Sequence, residues 1–241
     1  MLSTALNRAL QTQLVSRNVC EAVRPPQAGR PELRVFDGDE TRTLLAVTSA
    51  IDSVYACVVA LAVATGMRQG ELLGLRWKDV DLDGAAIVVR TTLERGKEGK
   101  FQFREPKTSR SRRRIPIGAA GVEVLRRART RQLRERLAAG PAWRDADLVF
   151  TGPAGLPVSV PSLQKAFYRL LRTNGLPKIR FHDLRHTHAS LLLLRGANPK
   201  VVSERLGHTT VAFTLDTYAH LLPGVQEDAA RDLDAWLRGR A

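Results

Sequence analysis

Tyr218 is one of three tyrosines in the chain and lies in the short stretch TLDTYAH, residues 214–220. A tyrosine among small and apolar residues usually packs its ring in a core and hydrogen-bonds its hydroxyl. A phenol can also attack a phosphodiester, and the resulting ester conserves the bond energy, so that the step can be reversed. Packing is the default interpretation of Tyr218, and chemistry requires support from other residues.

Two arginines lie where a charge needs a partner. Arg68 directly follows the apolar run 54–67, and a guanidinium beside a core is costly unless it is paired or binds an anion. Glu71, three residues on, could hold it from the same helical face, and this stretch by itself favours such a structural pair. In FHDLRHTHAS (181–190), His182 and Arg185 project from one face of a predicted helix and could cradle a phosphate oxygen.

Two further residues have ordinary explanations when they are taken singly. His208 follows a glycine, where a histidine is usually a cap or a surface residue, and Lys107 lies at a predicted hairpin turn. Together with the arginines they would supply a metal-free phosphoryl transfer. Fixed cations would stabilise the charge on the non-bridging oxygens, and a lysine with a lowered pKa could protonate the leaving oxygen.

A metal site is the competing interpretation of the histidines. His182, His186 and His188 form a cluster in the sequence, but their spacings of four and six residues do not converge well on a helix. No cysteine lies nearby as a further ligand. We therefore expect neither a metal nor another cofactor.

The charge balance indicates a polyanionic partner. The chain has 38 Lys and Arg against 24 Asp and Glu, a net charge of +14, and nucleic acid is the usual partner of such a field. Nine basic residues lie between 95 and 114, and six arginines between 126 and 136. Such concentrated patches favour a phosphate backbone over a solvated face. The candidate DNA-binding residues are Arg95, Lys97, Lys100, Arg110, Arg112 and Arg113.

The elements that must position these residues are mostly helical. Residues 3–23 read as one amphipathic helix before a Pro/Gly-rich linker. Asp37 and Glu40 suit a capping box, and 53–65 reads as a central buried helix. Short strands are predicted at 85–90, 100–105 and 112–117, and helices at 119–138, 161–173, 182–194, from Pro199 and at 225–238. The predicted fold class is mainly α with a small antiparallel β-sheet (α+β).

Targeting signals and disulfides are not indicated. Cys57 lies in an apolar run and reads as a core residue, so Cys20 and Cys57 imply no disulfide framework. The longest apolar stretch, 54–67, has 14 residues, against about 20 for a membrane span. We expect a cytoplasmic protein without a membrane partner.

Four motifs in order resemble the tyrosine recombinase (phage integrase) family: TGMRQGELLGLRW, PKTSRSRRRIPI, HDLRHTHAS and LGHTTVAFTLDTYAHL. The resemblance runs from about residue 33 to 241 and implies the family's C-terminal catalytic-domain fold. It also implies roles. Arg68 and Arg185 would clamp the scissile phosphate, with Glu71 supporting. Lys107 would be the general acid and His182 a general base or partner for the tyrosine's proton. His208 would donate to a non-bridging oxygen, and Tyr218 would form a 3′-phosphotyrosyl link.

The resemblance also implies partners and a domain division. Residues 1–32 would be the last helix of a missing N-terminal core-binding domain plus a linker, and 33–241 the catalytic domain. The expected partner is double-stranded DNA, bound by a homotetramer on paired sites, with the helix 225–238 packing on a neighbour. An accessory directionality factor is a further candidate partner. The sequence is compatible with an origin in a mobile element and with other origins.

Two alternatives stay open at this point. A catalytically idle DNA-binding fragment of such a protein, lacking the N-terminal clamp domain, would explain the basic patches by itself. A metal-dependent nuclease would need converging carboxylates or His/Cys ligands, which the sequence does not assemble. The complete set of motif residues favours an enzyme that integrates or recombines DNA over a pure binder.

Overall fold

The computed structural model describes residues 2–23, 34–95, 101–104, 112–218 and 225–239. These divide into two compact units, Met1–Leu33 and Arg34–Ala241. We describe each unit by itself.

The first unit is a short helical hairpin, and the prediction of one continuous helix over 3–23 is wrong. Helix α1 (Leu2–Gln11) ends early, because the chain turns at Gln13, whose φ of 57° is incompatible with a continuing helix. A 3₁₀ turn follows at Val19–Ala22. Asn18 caps this turn through Cys20 N, and its amide donates to Asn7 Oδ1 at 2.6 Å, which ties the returning segment to α1.

The second unit is built around one apolar helix. Helix α2 (Gly38–Ala50) starts with the predicted capping box of Asp37 and Glu40. Helix α3 (Val54–Thr65) is buried on nearly every side, as its uniformly apolar sequence predicts, and packs against α2 and four later helices. It ends at Gly66, whose left-handed φ of 65° turns the chain directly into Arg68.

Five strands form two antiparallel sheets among the described residues, where one sheet was expected. The first sheet has the strand order β1-β2-β5 and consists of β1 (Val80–Asp81), β2 (Ala86–Val89) and β5 (Arg113–Pro116). Strands β3 (Thr92–Arg95) and β4 (Phe101–Arg104) form a separate hairpin.

The hairpin leaves the first sheet because β3 lies directly on helix α4 (Gln69–Leu73) and the glycine that ends it. A Cβ at Gly70 would lie 2.4 Å from Thr92 Oγ1, and one at Gly74 would lie 2.8 Å from Leu93 N. Only glycine permits this backbone approach.

The remaining helices surround α3 or follow the sheets. They are α5 (Ala119–Ala139), α6 (Val160–Thr173), α7 (Asp183–Leu194), α8 (Pro199–Leu206), α9 (Val211–Tyr218) and α10 (Val225–Leu237). All but α9 were predicted to within about one residue, and Asn198 caps α8 as expected before Pro199. The predicted class, mainly helical with small antiparallel sheets, is confirmed. Within the described ranges, no helix is both long and apolar enough to cross a membrane.

The arginines of α5 have a structural role that the charge count did not reveal. Arg127 donates to the carbonyls of Thr48 and Ile51 at the end of α2. Arg131 and Arg134 both contact Asp52 in the following loop. These contacts satisfy carbonyls that a helix end leaves without partners. Part of the predicted phosphate-binding patch therefore holds α5 against α2.

Candidate functional site

Arg68 lies at the junction of α3, α4 and the end of α8. Its backbone N–H donates to Glu71 Oε2 at 2.9 Å, and its Nη1 donates to Glu71 Oε1 at 2.8 Å. Its Nη2 donates to Gly207 O at 3.2 Å. The side chain is 40% exposed, so Arg68 is both held in position by protein atoms and open to a ligand.

Glu71 is shared with a second arginine. Arg113 on β5 binds it with both ends of its guanidinium, at 3.0 and 2.7 Å, and its Nε donates to Arg205 O at 2.7 Å. Burial would raise the pKa of Glu71, but the hydrogen bonds and charges of Arg113 and Arg68 lower it below its usual value. Glu71 therefore stays ionised and fixes Arg68. We call Arg68, Glu71, Arg113 and Arg185 the arginine centre.

Arg185 is, with Arg113, one of two buried cations of this centre. It is 4% exposed, and its guanidinium donates to Gly66 O at 2.7 Å and to Leu206 O at 2.6 Å. Burial and the neighbouring charge of Arg68 lower the pKa of Arg185 to about 9. A guanidinium hydrogen-bonded to carbonyls, beside another cation, would gain stability from an anion placed between the two. The arrangement suits a phosphate.

Gly66 and Gly207 let three segments meet at the arginine centre. A Cβ at Gly66 would lie 2.6 Å from Leu206 Cδ2 and 2.7 Å from His188 Cδ2. Gly207 ends α8 in the left-handed conformation, with φ of 68°, which frees its carbonyl for Arg68 and leads into His208. Both glycines are therefore required by backbone geometry.

Tyr218 points its hydroxyl at a histidine. It is the last residue of α9, is 1% exposed, and places Oη 2.7 Å from His186 Nδ1. Burial raises the pKa of Tyr218 to about 12. Burial and the nearby His182 lower the pKa of His186 to about 4. The contact therefore joins a protonated phenol and a neutral imidazole, and the phenol donates when the imidazole carries its hydrogen on Nε2.

His182 lies beside this pair. It is exposed at the start of α7, and its ring packs edge-on against His186 at 5.3 Å between centroids. Partial desolvation and Arg185 lower the pKa of His182. The sequence interpretation assigns the tyrosine's proton to His182, whereas in the structure His186 contacts the hydroxyl. The sequence signal that could have found His186 is its spacing of four residues from His182, which places both histidines on one helix face. The same spacing was considered above for a metal site.

His208 follows Gly207 and is fixed by α9. Its Nδ1 lies 2.8 Å from Thr214 Oγ1, and its ring packs edge-on against Phe213. Burial and the charges of Arg185 and Arg68 lower the pKa of His208 to about 3. A neutral histidine beside two arginines can donate one hydrogen bond to an anion that they bind.

His188, which the sequence grouped into a candidate metal cluster, and Arg205, which the sequence did not single out, hold this frame together. His188 Nδ1 donates to Val63 O at 2.7 Å, and Arg205 Nε donates to His188 Nε2 at 3.0 Å. Arg205 also donates to Pro116 O at 2.8 Å and to Ala64 O at 3.2 Å. One arginine thus joins α3, α7, α8 and the end of β5.

Several predicted residues cannot be placed. Four of the predicted residues lie outside the described part of the chain: Lys97, Lys100, Lys107 and Arg110. The side chain of Arg95, at the end of β3, also lies outside it. Arg112 is exposed next to β5, while Arg113 is buried on Glu71. The general-acid role of Lys107 and the DNA-binding roles stay predictions.

The histidines of the supposed metal cluster have other partners. His186 contacts Tyr218, and His188 lies between Val63 and Arg205. In the part of the chain that the structure describes, no group of three His, Cys, Asp or Glu side chains could hold a metal ion.

The fold and the sequence match those of a known protein family. The sequence profile of the phage integrase family matches residues 34–224, and the chain belongs to that family. Its relatives include a XerC-like tyrosine recombinase of Caldanaerobacter subterraneus subsp. tengcongensis, 31% identical over 97% of this chain and 63% of the relative. An integrase of Streptomyces ambofaciens is 32% identical over 97% of this chain and 61% of the relative. The chain thus spans slightly less than two thirds of these relatives.

Solved structures show the same fold at low sequence identity. The Tn1549 transposon integrase, in complex with a circular intermediate DNA, matches with a TM-score of 0.75 and 22% identity, over 96% of this chain and 76% of that one. The XerA recombinase matches with a TM-score of 0.63 and 22% identity, over 95% of this chain and 73% of that one. At this identity the likeness shows the fold alone.

Proposed function

We propose that this chain is the catalytic part of a site-specific DNA recombinase or integrase, which cleaves and rejoins DNA through a 3′-phosphotyrosyl intermediate without a metal. One observation carries the proposal. Arg185 is buried with carbonyl partners next to Arg68, and the same α7 presents the histidine that binds the Tyr218 hydroxyl. Helix α7 thus carries both a cation of the proposed anion site and the hydrogen-bond partner of the proposed nucleophile, which lies at the end of α9.

The proposed roles follow from the charge that develops at phosphorus. Arg68 and Arg185 bind the non-bridging oxygens of the scissile phosphate, and His208 donates to one of them. Glu71 fixes Arg68. Fixed cations in a partly buried site stabilise such charge strongly and need no reorganisation during the reaction. Tyr218 attacks the phosphorus, Lys107 protonates the departing 5′ oxygen, and His182 lies beside the pair that handles the tyrosine's proton.

The proposed partners extend beyond one chain. Double-stranded DNA is the substrate, bound by a homotetramer on paired sites, and a directionality factor would select the direction of reaction. Helix α10 is the proposed contact with a neighbouring protomer, because Leu233 and Trp236 on its apolar face are 57% and 67% exposed. The side chains of Val225 and Ala229, which were expected on the same face, lie outside the described residues.

Covalent capture of DNA tests the proposal and identifies the target sequence in the same experiment. A pool of nicked suicide duplexes with a randomised core is incubated with the 241-residue chain in EDTA. Denaturant-resistant adducts are recovered and their DNA is sequenced. The proposal expects an enriched sequence attached to the wild-type protein and no adduct with Tyr218→Phe, whose ring packs alike but lacks the nucleophile.

The other outcomes separate the alternatives. Retention of DNA on the protein without any covalent adduct would favour the idle DNA-binding fragment. DNA cleavage that EDTA abolishes would favour a metal-dependent nuclease. Either result would overturn the proposed function.

A further inference from the structure

The Tyr218 hydroxyl already lies within hydrogen-bonding distance of a basic ring nitrogen. Oη lies 2.7 Å from His186 Nδ1, which is a short hydrogen bond for an oxygen donor and a ring nitrogen. With the imidazole hydrogen on Nε2, Nδ1 is the acceptor and the hydroxyl of Tyr218 donates to it. The lone pairs of Oη are then left for attack on another atom.

His186 is held in this position by its own helix. It follows Arg185 directly on α7, it is half-buried, and its carbonyl accepts a hydrogen bond from Ser190 Oγ at 2.8 Å. Its ring contacts the His182 ring at 5.3 Å and the Tyr218 ring at 5.8 Å between centroids. These two ring contacts restrict rotation of the imidazole away from the hydroxyl.

The charged and titratable groups around His186 come from three segments. They are Arg180, His182, Asp183 and Arg185 from α7 and the turn before it, Tyr218 from α9, and His208 from the turn between α8 and α9. The cations among them disfavour a proton on His186. A phosphate bound by Arg68 and Arg185 would offset that repulsion and raise the basicity of His186. The acceptor would thus improve when substrate arrives.

We propose that His186 is a catalytic residue of DNA cleavage and accepts the hydroxyl proton of Tyr218 as the oxygen attacks phosphorus. The inference rests on the proposed function, because it requires Tyr218 to be the nucleophile. The Oη–P bond forms, the bond from phosphorus to the 5′ oxygen breaks, and the proton moves from Oη to Nδ1. The 5′ oxygen takes its proton from Lys107. Rejoining reverses each transfer.

A positioning role makes a different prediction from proton transfer, and one substitution separates them. His186→Asn keeps a hydrogen-bond acceptor near the place of Nδ1, but an amide cannot hold a proton near neutral pH. His208→Asn is the matched control, because it removes a proposed phosphate donor and leaves the acceptor of the tyrosine's proton in place.

The measurement is the single-turnover rate of adduct formation between pH 6 and 9, on the duplex recovered by covalent capture. We expect a nearly flat profile for the wild type. His186→Asn should be slower by roughly 10²-fold or more at pH 7. Its residual rate should rise about tenfold per pH unit, because only solvent can then remove the proton of a phenol with a pKa near 12. His208→Asn should lower the rate without adding this slope.

The outcomes distinguish this inference from the proposed function. If the wild type forms no adduct, the proposed function is wrong, and the inference that depends on it is wrong as well. If the wild type forms the adduct and His186→Asn matches its rate and flat profile, only the inference is wrong. A slow but flat His186→Asn would assign His186 to positioning and also overturn proton acceptance.

A measurement on the wild-type protein covers the case in which His186→Asn does not fold. In protein with ¹⁵N-labelled histidine, nitrogen chemical shifts report which ring nitrogen carries hydrogen. At pH 7 we expect neutral His186 with hydrogen on Nε2 and none on Nδ1. Hydrogen on Nδ1 would show that His186 donates to Tyr218, and proton acceptance would be excluded.

Discussion

The arginines of α5 and the arginine centre are both dense clusters of positive charge, yet their partners differ. On α5, Arg131 and Arg134 pair with the exposed carboxylate of Asp52, and Arg127 caps the end of α2. In the centre, Glu71 binds Arg68 and Arg113, while Arg185 binds carbonyls. Charge density by itself therefore does not mark an anion site. The distinguishing feature is a buried cation, already positioned, that an anion would stabilise.

Removal of Glu71 should have the largest effect on stability. Glu71→Ala leaves Arg113 buried without its carboxylate, and breaking a buried pair in this way costs about 3–5 kcal/mol. Urea unfolding measures the loss. Asp52→Ala is the matched control for the α5 cluster, because Asp52 and its partner Arg134 are both exposed and their pair should contribute less than about 1 kcal/mol. Equal losses in the two variants would remove the distinction between the clusters.

Substitution of Arg185 should mainly lower the rate of adduct formation. Arg185→Gln can still donate one hydrogen bond to a carbonyl but carries no charge. Loss of one fixed donor or cation to a developing oxyanion typically slows the reaction by about 10²–10³-fold. The rate of adduct formation at saturating DNA measures this effect. Arg131→Ala on α5 should stay within about threefold of the wild type, and a similar loss there would contradict the comparison.

Acid should destabilise the protein through the buried histidines. Folding lowers the pKa of His188 from 6.5 to about 4, so between these values the unfolded chain binds a proton that the folded chain does not. The contribution is fully present above pH 6.5 and is lost as the pH falls toward 4. A shift of this size corresponds to about 3 kcal/mol. His186 and His208 shift in the same direction.

Unfolding free energies between pH 8 and 4.5 check this prediction. The free energy of unfolding should decrease steadily below pH 6.5, and His188→Gln should show a shallower decrease. An unfolding free energy that does not change between pH 7 and 5 would contradict the buried, neutral state of His188.

The smallest loss of stability is expected from a substitution of an arginine on α5. Arg127→Ala removes hydrogen bonds to the carbonyls of Thr48 and Ile51, which should cost about 1 kcal/mol. Urea unfolding should detect the loss, and the rate of adduct formation should be unchanged. A change in salt-dependent DNA affinity would instead show that this cluster also binds phosphate.

Local patterns predicted most of the helices, the strands β2, β4 and β5, and most of the motif residues, whereas β1, β3 and α9 were not predicted. The capping box of Asp37 and Glu40, the apolar run of α3 and the Arg68–Glu71 pair each depend on neighbours in the sequence, and each was found. The end of α1 was missed, because the left-handed turn at Gln13 carries no glycine or proline signal.

Contacts across long stretches of chain were not predictable in the same way. Arg113 reaches Glu71 across 42 positions, and His186 reaches Tyr218 across 32. Nothing in either local sequence indicates the partner. From the sequence, Arg113 was therefore interpreted as one more basic residue of a DNA-binding patch, and His186 was interpreted as a candidate metal ligand. The two pairs join α4 to β5 and α7 to α9, and only tertiary packing brings these elements together.

The most direct test of the central claim is the identity of the residue joined to DNA. Adducts formed in EDTA on the recovered duplex are digested with protease and nuclease, and the nucleotide-bearing peptide is sequenced by mass spectrometry. We predict a single phosphodiester attached to Tyr218 through a DNA 3′ phosphate. Attachment to another residue, or DNA cleavage without any attached peptide, would contradict the assignment of Tyr218 as the nucleophile.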